Sequence, residues 1–324
     1  MKAKALILEL IAEKGALSAN ELNRLTGFST QYIHRILKNL LLGDRLIKMG
    51  TSPKTVYKLK SLSKTNKESI ADEFSGIVNT NFLLVTPLGE RLNGEEAFKY
   101  WCVERKLPVA KTAKEYISTL KKYEQYKTKI ALINGMGKLQ NTKGIGKIHL
   151  DNLYYADFYA IERFGKTKLG QLMHYGKMAQ NKTLIKEVAD LTKPALLKLI
   201  KNESIEAVGY IPPTINRLTQ FMKEIAYFYN FSLPHIIIDK IKGAIPIPQK
   251  TFSKLSQRVS NAKNSMRFNQ AISYKKILLI DDAVGSGATM NEAAGKVKFN
   301  NPTVHIIGFA ITGFYKGFEV ISEV

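Results

Sequence analysis

The chain of 324 residues contains a single cysteine, Cys102, so an internal disulfide and a cysteine-built zinc site are both excluded. It has no apolar run of the roughly 18 residues a membrane-spanning helix needs, so no span and no membrane partner are expected. The amino terminus, Met-Lys-Ala-Lys followed by an amphipathic pattern, lacks the apolar core and cleavage site of a secretion signal. A cytoplasmic location is the resulting expectation. Acidic residues are scarce, 27 against 49 basic, and the net charge of +22 points to a polyanionic partner. Arginine is scarce too: 9 of the basic residues are Arg and 40 are Lys, a ratio that a lysine-rich background would also produce. The distribution is more telling than the total. Residues 1–64 carry 12 basic and 4 acidic residues, more than double the net charge density of the remainder.

Three regions follow from the patterning. Residues 1–60 read as three helices and a hairpin. Residues 61–149 open with a polar linker at 61–66 and continue as a mixed α/β connector of unassigned role. From 150 to 324, helical patterns alternate with short apolar strands, the signature of a parallel sheet.

In the first region, Leu6, Ile7, Leu10 and Ile11 recur at helical spacing up to Gly15. Ser18-Ala19-Asn20-Glu21 forms a capping box for a second helix burying Leu22 and Leu25. Ser29 caps a third, with Ile33, Ile36, Leu37, Leu40 and Leu41 inside and Thr30, Gln31, His34, Arg35 and Lys38 outside. Leu46–Lys48 and Val56–Leu59 read as strands around a turn at Thr51–Lys54. This order resembles a winged helix-turn-helix domain, which implies double-stranded DNA as partner. By that resemblance Thr30, Gln31, His34 and Arg35 face base edges and nearby phosphates, and Lys38, Lys48, Lys54 and Lys58 face phosphates. Winged helices also dock proteins; the basic outer face favours DNA.

The most informative stretch is Ile277-Leu278-Leu279-Ile280-Asp281-Asp282, followed by Ala283 and the small-residue loop Val284-Gly285-Ser286-Gly287-Ala288-Thr289. Four apolar residues suit a buried parallel strand with the two acids at its carboxyl end. A glycine-rich loop opening a helix lets backbone N–H groups and the helix dipole meet a phosphate, and adjacent carboxylates suit the vicinal hydroxyls of a ribose. The stretch resembles the phosphoribosyltransferase fingerprint. The resemblance implies a type I phosphoribosyltransferase-like parallel sheet with flanking helices. It also implies a site for 5-phosphoribosyl diphosphate (PRPP). There Asp281 and Asp282 hold the ribose hydroxyls directly or through Mg²⁺, Val284 to Thr289 cradle the 5′-phosphate, and Ser286 and Thr289 add side-chain donors.

Ala207–Ile211 reads as a strand ended by Pro212-Pro213, with Arg217 and an amphipathic helix through Leu218, Phe221, Met222, Ile225 and Phe228 beyond it. In the superfamily the loop after such a strand handles the diphosphate, which implies Pro213, Thr214, Asn216 and Arg217. Pro248-Gln249, Leu255-Ser256, Arg258, Asn261 and Phe268, with Ile161–Lys166 upstream, resemble the ComF competence family over about residues 150–324. Two departures stand out: a winged helix replaces that family's cysteine zinc ribbon, and the loop reads Gly-Ser-Gly-Ala-Thr where many members have Thr-Thr-Gly-Ala-Thr. Segment 249–268, without strong periodicity, reads either as a loop closing over the reacting centre or as a basic surface loop. In the first case Arg258 and Lys254, with Lys250, stabilise the leaving diphosphate as catalytic residues. No histidine stands out as a general base. Phe98 and Trp101 on a short helix, and Tyr116, Leu120 and Tyr123 on another, read as core.

The expected function is a ComF-like PRPP-binding protein with a DNA-binding domain, transferring phosphoribose to a nucleobase or other nitrogen acceptor. One alternative is a non-catalytic regulator sensing PRPP or a nucleotide, the layout of the purine operon repressor of Gram-positive bacteria. Another is a DNA-uptake or repair accessory. A homodimer is compatible with each.

Overall fold

The computed structural model describes residues 2–43, 45–60, 69–142, 144–241 and 251–315. The polar stretch 61–66 and Pro248, Gln249 and Lys250 lie outside the described residues. The first sixty residues form α1 (Lys2–Lys14), α2 (Ala19–Thr26), α3 (Thr30–Leu42), β1 (Leu46–Met49) and β2 (Val56–Leu59). Local chemistry sets the boundaries. Gly15 takes a positive φ beyond α1, and Gly27 does the same beyond α2. Ser18 Oγ accepts from the Glu21 amide while Glu21 reaches back to the Ser18 amide, and Ser29 caps α3 through the Tyr32 amide. Ile7, Ile11, Leu22, Ile33, Leu37, Leu40, Leu46 and Tyr57 close a small core. Leu25, expected inside, is 47% exposed, because it stands in the last turn of the eight-residue α2, past its packed face.

The middle region contributes α4 (Asp72–Asn81), β3 (Leu83–Val85), β4 (Arg91–Asn93), α5 (Gly94–Glu104), α6 (Val109–Glu124), β5 (Ile133–Asn134) and α7 (Met136–Asn141). Phe82, Phe98, Trp101 and Tyr116 pack with Phe164 in one ring cluster, and Trp101 is buried. They share one core with residues of the central sheet.

The rest alternates helix and strand: β6 (Asn152–Phe158), the short hairpin β7 (Ala160–Ile161) and β8 (Gly165–Lys166), α8 (Lys168–Met178), α9 (Lys182–Glu203), β9 (Ala207–Tyr210), α10 (Phe221–Tyr229), β10 (His235–Ile236), β11 (Asp239–Lys240), α11 (Leu255–Asn264), β12 (Met266–Arg267), β13 (Lys276–Val284), α12 (Ala288–Asn300) and β14 (His305–Gly313). Six strands make a mostly parallel sheet in the order β10-β9-β13-β14-β6-β5, with only β5 antiparallel. Its edge strand β5 therefore comes from upstream of residue 150. Alternate residues of β13 face opposite layers: Leu278 and Ile280 pack with α8, α9 and α10, whereas Ile277 and Leu279 pack with α12 and the middle region. The molecule is thus a mixed α/β structure with helices on both faces of its central sheet.

Three expectations change. β13 does not stop at Ile280 but runs through both acids to Val284, because β14 pairs with it as far as Gly313. Leu218 lies outside α10 and is fully exposed. Residues 255–264 are not an irregular loop but helix α11, whose Ala262 is buried in the core shared with α12.

Candidate ligand crevice

β9 ends at Tyr210, opposite Ile280, and β13 continues beyond it paired with β14 alone. The chain leaves β9 toward β10 at one edge, and leaves β13 through α12 toward β14 on the other side. Strand order therefore reverses between β9 and β13, the position where open α/β sheets form a crevice at their carboxyl ends. Asp281 and Asp282 stand on β13 just beyond the last residue paired with β9. The loop after β13 turns at Gly287, whose φ of +81° favours glycine and whose hypothetical Cβ would lie 2.6 Å from Leu139 Cδ1 on α7. Ser286 Oγ accepts from the Ala288 amide at 3.3 Å, taking up one N–H of the first turn of α12. Val284, Ser286, Gly287 and Ala288 are buried, and Gly285 and Thr289 half-buried.

The Asp282 amide donates to Asp281 Oδ1 at 2.7 Å. Burial pushes the Asp281 carboxyl well above the usual carboxylate range, and the Asp282 charge adds to that shift; the Asp282 amide, Lys177 and Lys240 oppose it. Lys177, at the last turn of α8, forms an ion pair with Asp282. Burial lowers the Lys177 pKa, but the attraction and hydrogen bond of Asp282, with Asp281 behind it, outweigh burial and hold it above its ordinary value. Lys240, on β11, is pulled down by burial and partly restored by Asp281; its Nζ donates to Ser265 Oγ at 2.7 Å.

The loop after β9 carries Pro213, Thr214 and Arg217, all half-buried. Arg217 Nη1 donates to the Lys177 carbonyl at 2.6 Å, and the Thr219 amide donates to Gln180 Oε1 at 2.8 Å, so this loop is fastened to the end of α8. The start of α8 is equally constrained. Thr167 Oγ1 donates to the Phe158 carbonyl at the end of β6, and a Cβ on Gly170 would fall 2.1 Å from the Tyr159 carbonyl. Lys177 thus stands between Asp282, with which its ammonium pairs, and Arg217, which bonds its carbonyl. Lys254 and Arg258 are placed differently: Lys254 is exposed at the start of α11, and Arg258 Nε donates to the Phe252 carbonyl of its own segment at 2.8 Å.

Sequence reasoning missed Lys177, Lys240 and Lys138. Nothing local marks them among 40 lysines. Lys138, on α7, donates to the Phe314 carbonyl just past β14, and burial lowers its pKa to about 8. A cavity of about 530 Å³ lies elsewhere, along the later turns of α12 beside His149, Lys263 and Phe268, and includes none of the predicted site residues.

On the amino-terminal module, Thr30, Gln31, His34, Arg35 and Lys38 are all exposed on α3, and Arg35 lies over the Tyr32 ring at 5.0 Å. Lys48 and Lys54 are exposed on the hairpin, while Lys58 is half-buried. Among the described residues, no helix is long and apolar enough to cross a membrane.

No protein-family model matches the chain, and no curated protein matches it either.

Proposed function

We propose that the chain is a PRPP-binding, ComF-like phosphoribosyltransferase-type protein carrying a DNA-binding winged helix. The observation that carries the proposal is the meeting of two adjacent carboxylates, a glycine-turned helix start and a basic loop at the strand-order reversal between β9 and β13. A ribose phosphate has matching parts: hydroxyls for Asp281 and Asp282, and a 5′-phosphate for the amides of Gly285 to Thr289. Diphosphate would meet Arg217 and its neighbours Pro213 and Thr214.

Among the described residues no three His, Cys, Asp or Glu side chains form a metal cage. Two carboxylates nonetheless fit Mg²⁺ arriving on a diphosphate, because that ion keeps water and substrate oxygens as ligands. Asp281 and Asp282 would hold it, and it would supply charge neutralisation to the leaving group. In the transfer reaction the ribose C1–O bond breaks with its electron pair leaving on diphosphate. The acceptor nitrogen forms the C1–N bond and its proton passes to solvent. The role of the chain is to orient the ribose, hold the 5′-phosphate and place cations beside the departing charge.

A diphosphate-release screen of the full chain with PRPP, Mg²⁺ and a panel of bases tests turnover. Release dependent on one base supports the transferase. PRPP binding without release supports the second reading, a ligand-sensing regulator. That reading draws on the exposed contact residues of α3, and it further requires PRPP to change DNA affinity.

A further inference from the structure

Lys177 sits on the carboxylate that the proposed site needs for ribose. Its ammonium pairs with Asp282, while its main-chain carbonyl is gripped by Arg217 of the loop after β9. The two ends of the residue thus belong to two halves of the crevice. The side chain of Asp282 is 18% exposed and that of Lys177 is 42% exposed, so the pair is open to exchange from the crevice side. A ribose hydroxyl approaching Asp282 competes with the ammonium for the same oxygens. Once displaced, the ammonium cannot travel far. The clamp of Arg217 on its carbonyl, together with the Thr219–Gln180 hydrogen bond, keeps the end of α8 against the diphosphate loop. A lysine side chain freed there lies beside the loop after β9, where the diphosphate of the same ligand would sit.

We propose that Lys177 is a diphosphate-binding residue, stored on Asp282 in the free protein and handed to the diphosphate when ribose takes Asp282. This rests on the reading of the crevice as a PRPP site. The exchange would reward a ligand carrying ribose and diphosphate together. Ribose 5-phosphate alone displaces the ammonium without giving it a new partner. Diphosphate without Mg²⁺ must draw it off a carboxylate that gains nothing.

The test is calorimetry on the full chain with three separate ligands, each with Mg²⁺: inorganic diphosphate, ribose 5-phosphate and PRPP. Lys177→Gln should weaken diphosphate about tenfold or more, the effect of losing one charge-assisted contact. It should leave ribose 5-phosphate unchanged or a few-fold tighter, because Asp282 loses its competitor. Lys177→Arg should restore most of the diphosphate affinity. Asp282→Asn should weaken ribose 5-phosphate, and in a parallel titration without Mg²⁺, where Asp282 has no metal to hold, it should tighten diphosphate because the stored lysine is released. If Lys177→Gln weakens all three ligands equally, or leaves diphosphate unchanged, the inference is overturned. A wild type that binds diphosphate but neither ribose ligand sinks the reading of the crevice, while the diphosphate arm still decides whether Lys177 binds it. A wild type that binds none of the three overturns both.

Discussion

The outer face of α3 and the crevice between β9 and β13 are both basic, but they use their cations in opposite ways. Arg35 and Lys38 are exposed on a helix that has no acidic residue. In the crevice, Lys177 is paired with Asp282, Arg217 is bonded to a carbonyl, and Lys240 is bonded to Ser265 and lies close enough to Asp281 to feel its charge. The first arrangement attracts any polyanion at a distance, and salt screens it over roughly 10 Å. The second gives up a partner for every partner gained. It discriminates, because a ligand must replace both the carboxylate and the cation that it separates.

The largest effect should come from removing the crevice's acids. Asp281→Ala combined with Asp282→Ala should lower PRPP affinity by about 100-fold or more. Retained affinity would mean that ribose binds elsewhere and the contrast fails. Lys138 marks an intermediate case, a half-buried amine at the sheet's carboxyl edge whose ammonium donates to a neutral carbonyl. Its folded pKa of about 8 lies below the ordinary lysine value of 10.5, so between those limits the unfolded chain binds more protons and stability rises with pH. Lys138→Met should therefore stabilise the protein by about 2 kcal/mol at pH 7, and the gain should vanish above about pH 11. Urea midpoints at the two pH values would show it; an equal gain at both would mean that packing rather than charge is responsible.

On α3, Arg35→Ala with Lys38→Ala should weaken duplex DNA about tenfold and reduce the slope of log affinity against log salt by about 2. PRPP binding should not change. A filter-binding salt series reads both, and an unaltered slope would remove these residues from the contact surface. The smallest effect is expected from Ser18→Ala, which breaks the capping box at the cost of about 1 kcal/mol. Confined to the amino-terminal module, that loss should leave PRPP affinity intact; a parallel loss would mean that the two regions unfold and bind as one unit.

The two regions also differed in how far the sequence exposed them. The module is built from contacts a few residues apart, such as Ser18 with Glu21 and Ser29 with Tyr32, so caps and periodicity revealed nearly all of it. Its one misplaced core residue, Leu25, depended on which part of a two-turn helix its neighbours covered. In the crevice, the strand, the acids and the loop were legible because they are consecutive. The partner of Asp282 was not, because Lys177 is 105 residues away and reaches it only through the seating of α8 at Thr167 and Gly170. Residues 255–264 differ for the converse reason: their apolar positions are few, so they read as a loop, yet they form a helix that packs in the core beside α12.

We propose above all that the crevice at β9 and β13 receives PRPP. Calorimetric titration of PRPP with Mg²⁺ into the full wild-type chain, at a fixed salt concentration, tests it most directly. Saturable binding of one PRPP per chain, absent from the variant lacking both acids, is the expected result. A folded protein giving no saturable heat, or binding that survives loss of Asp281 and Asp282, would contradict it.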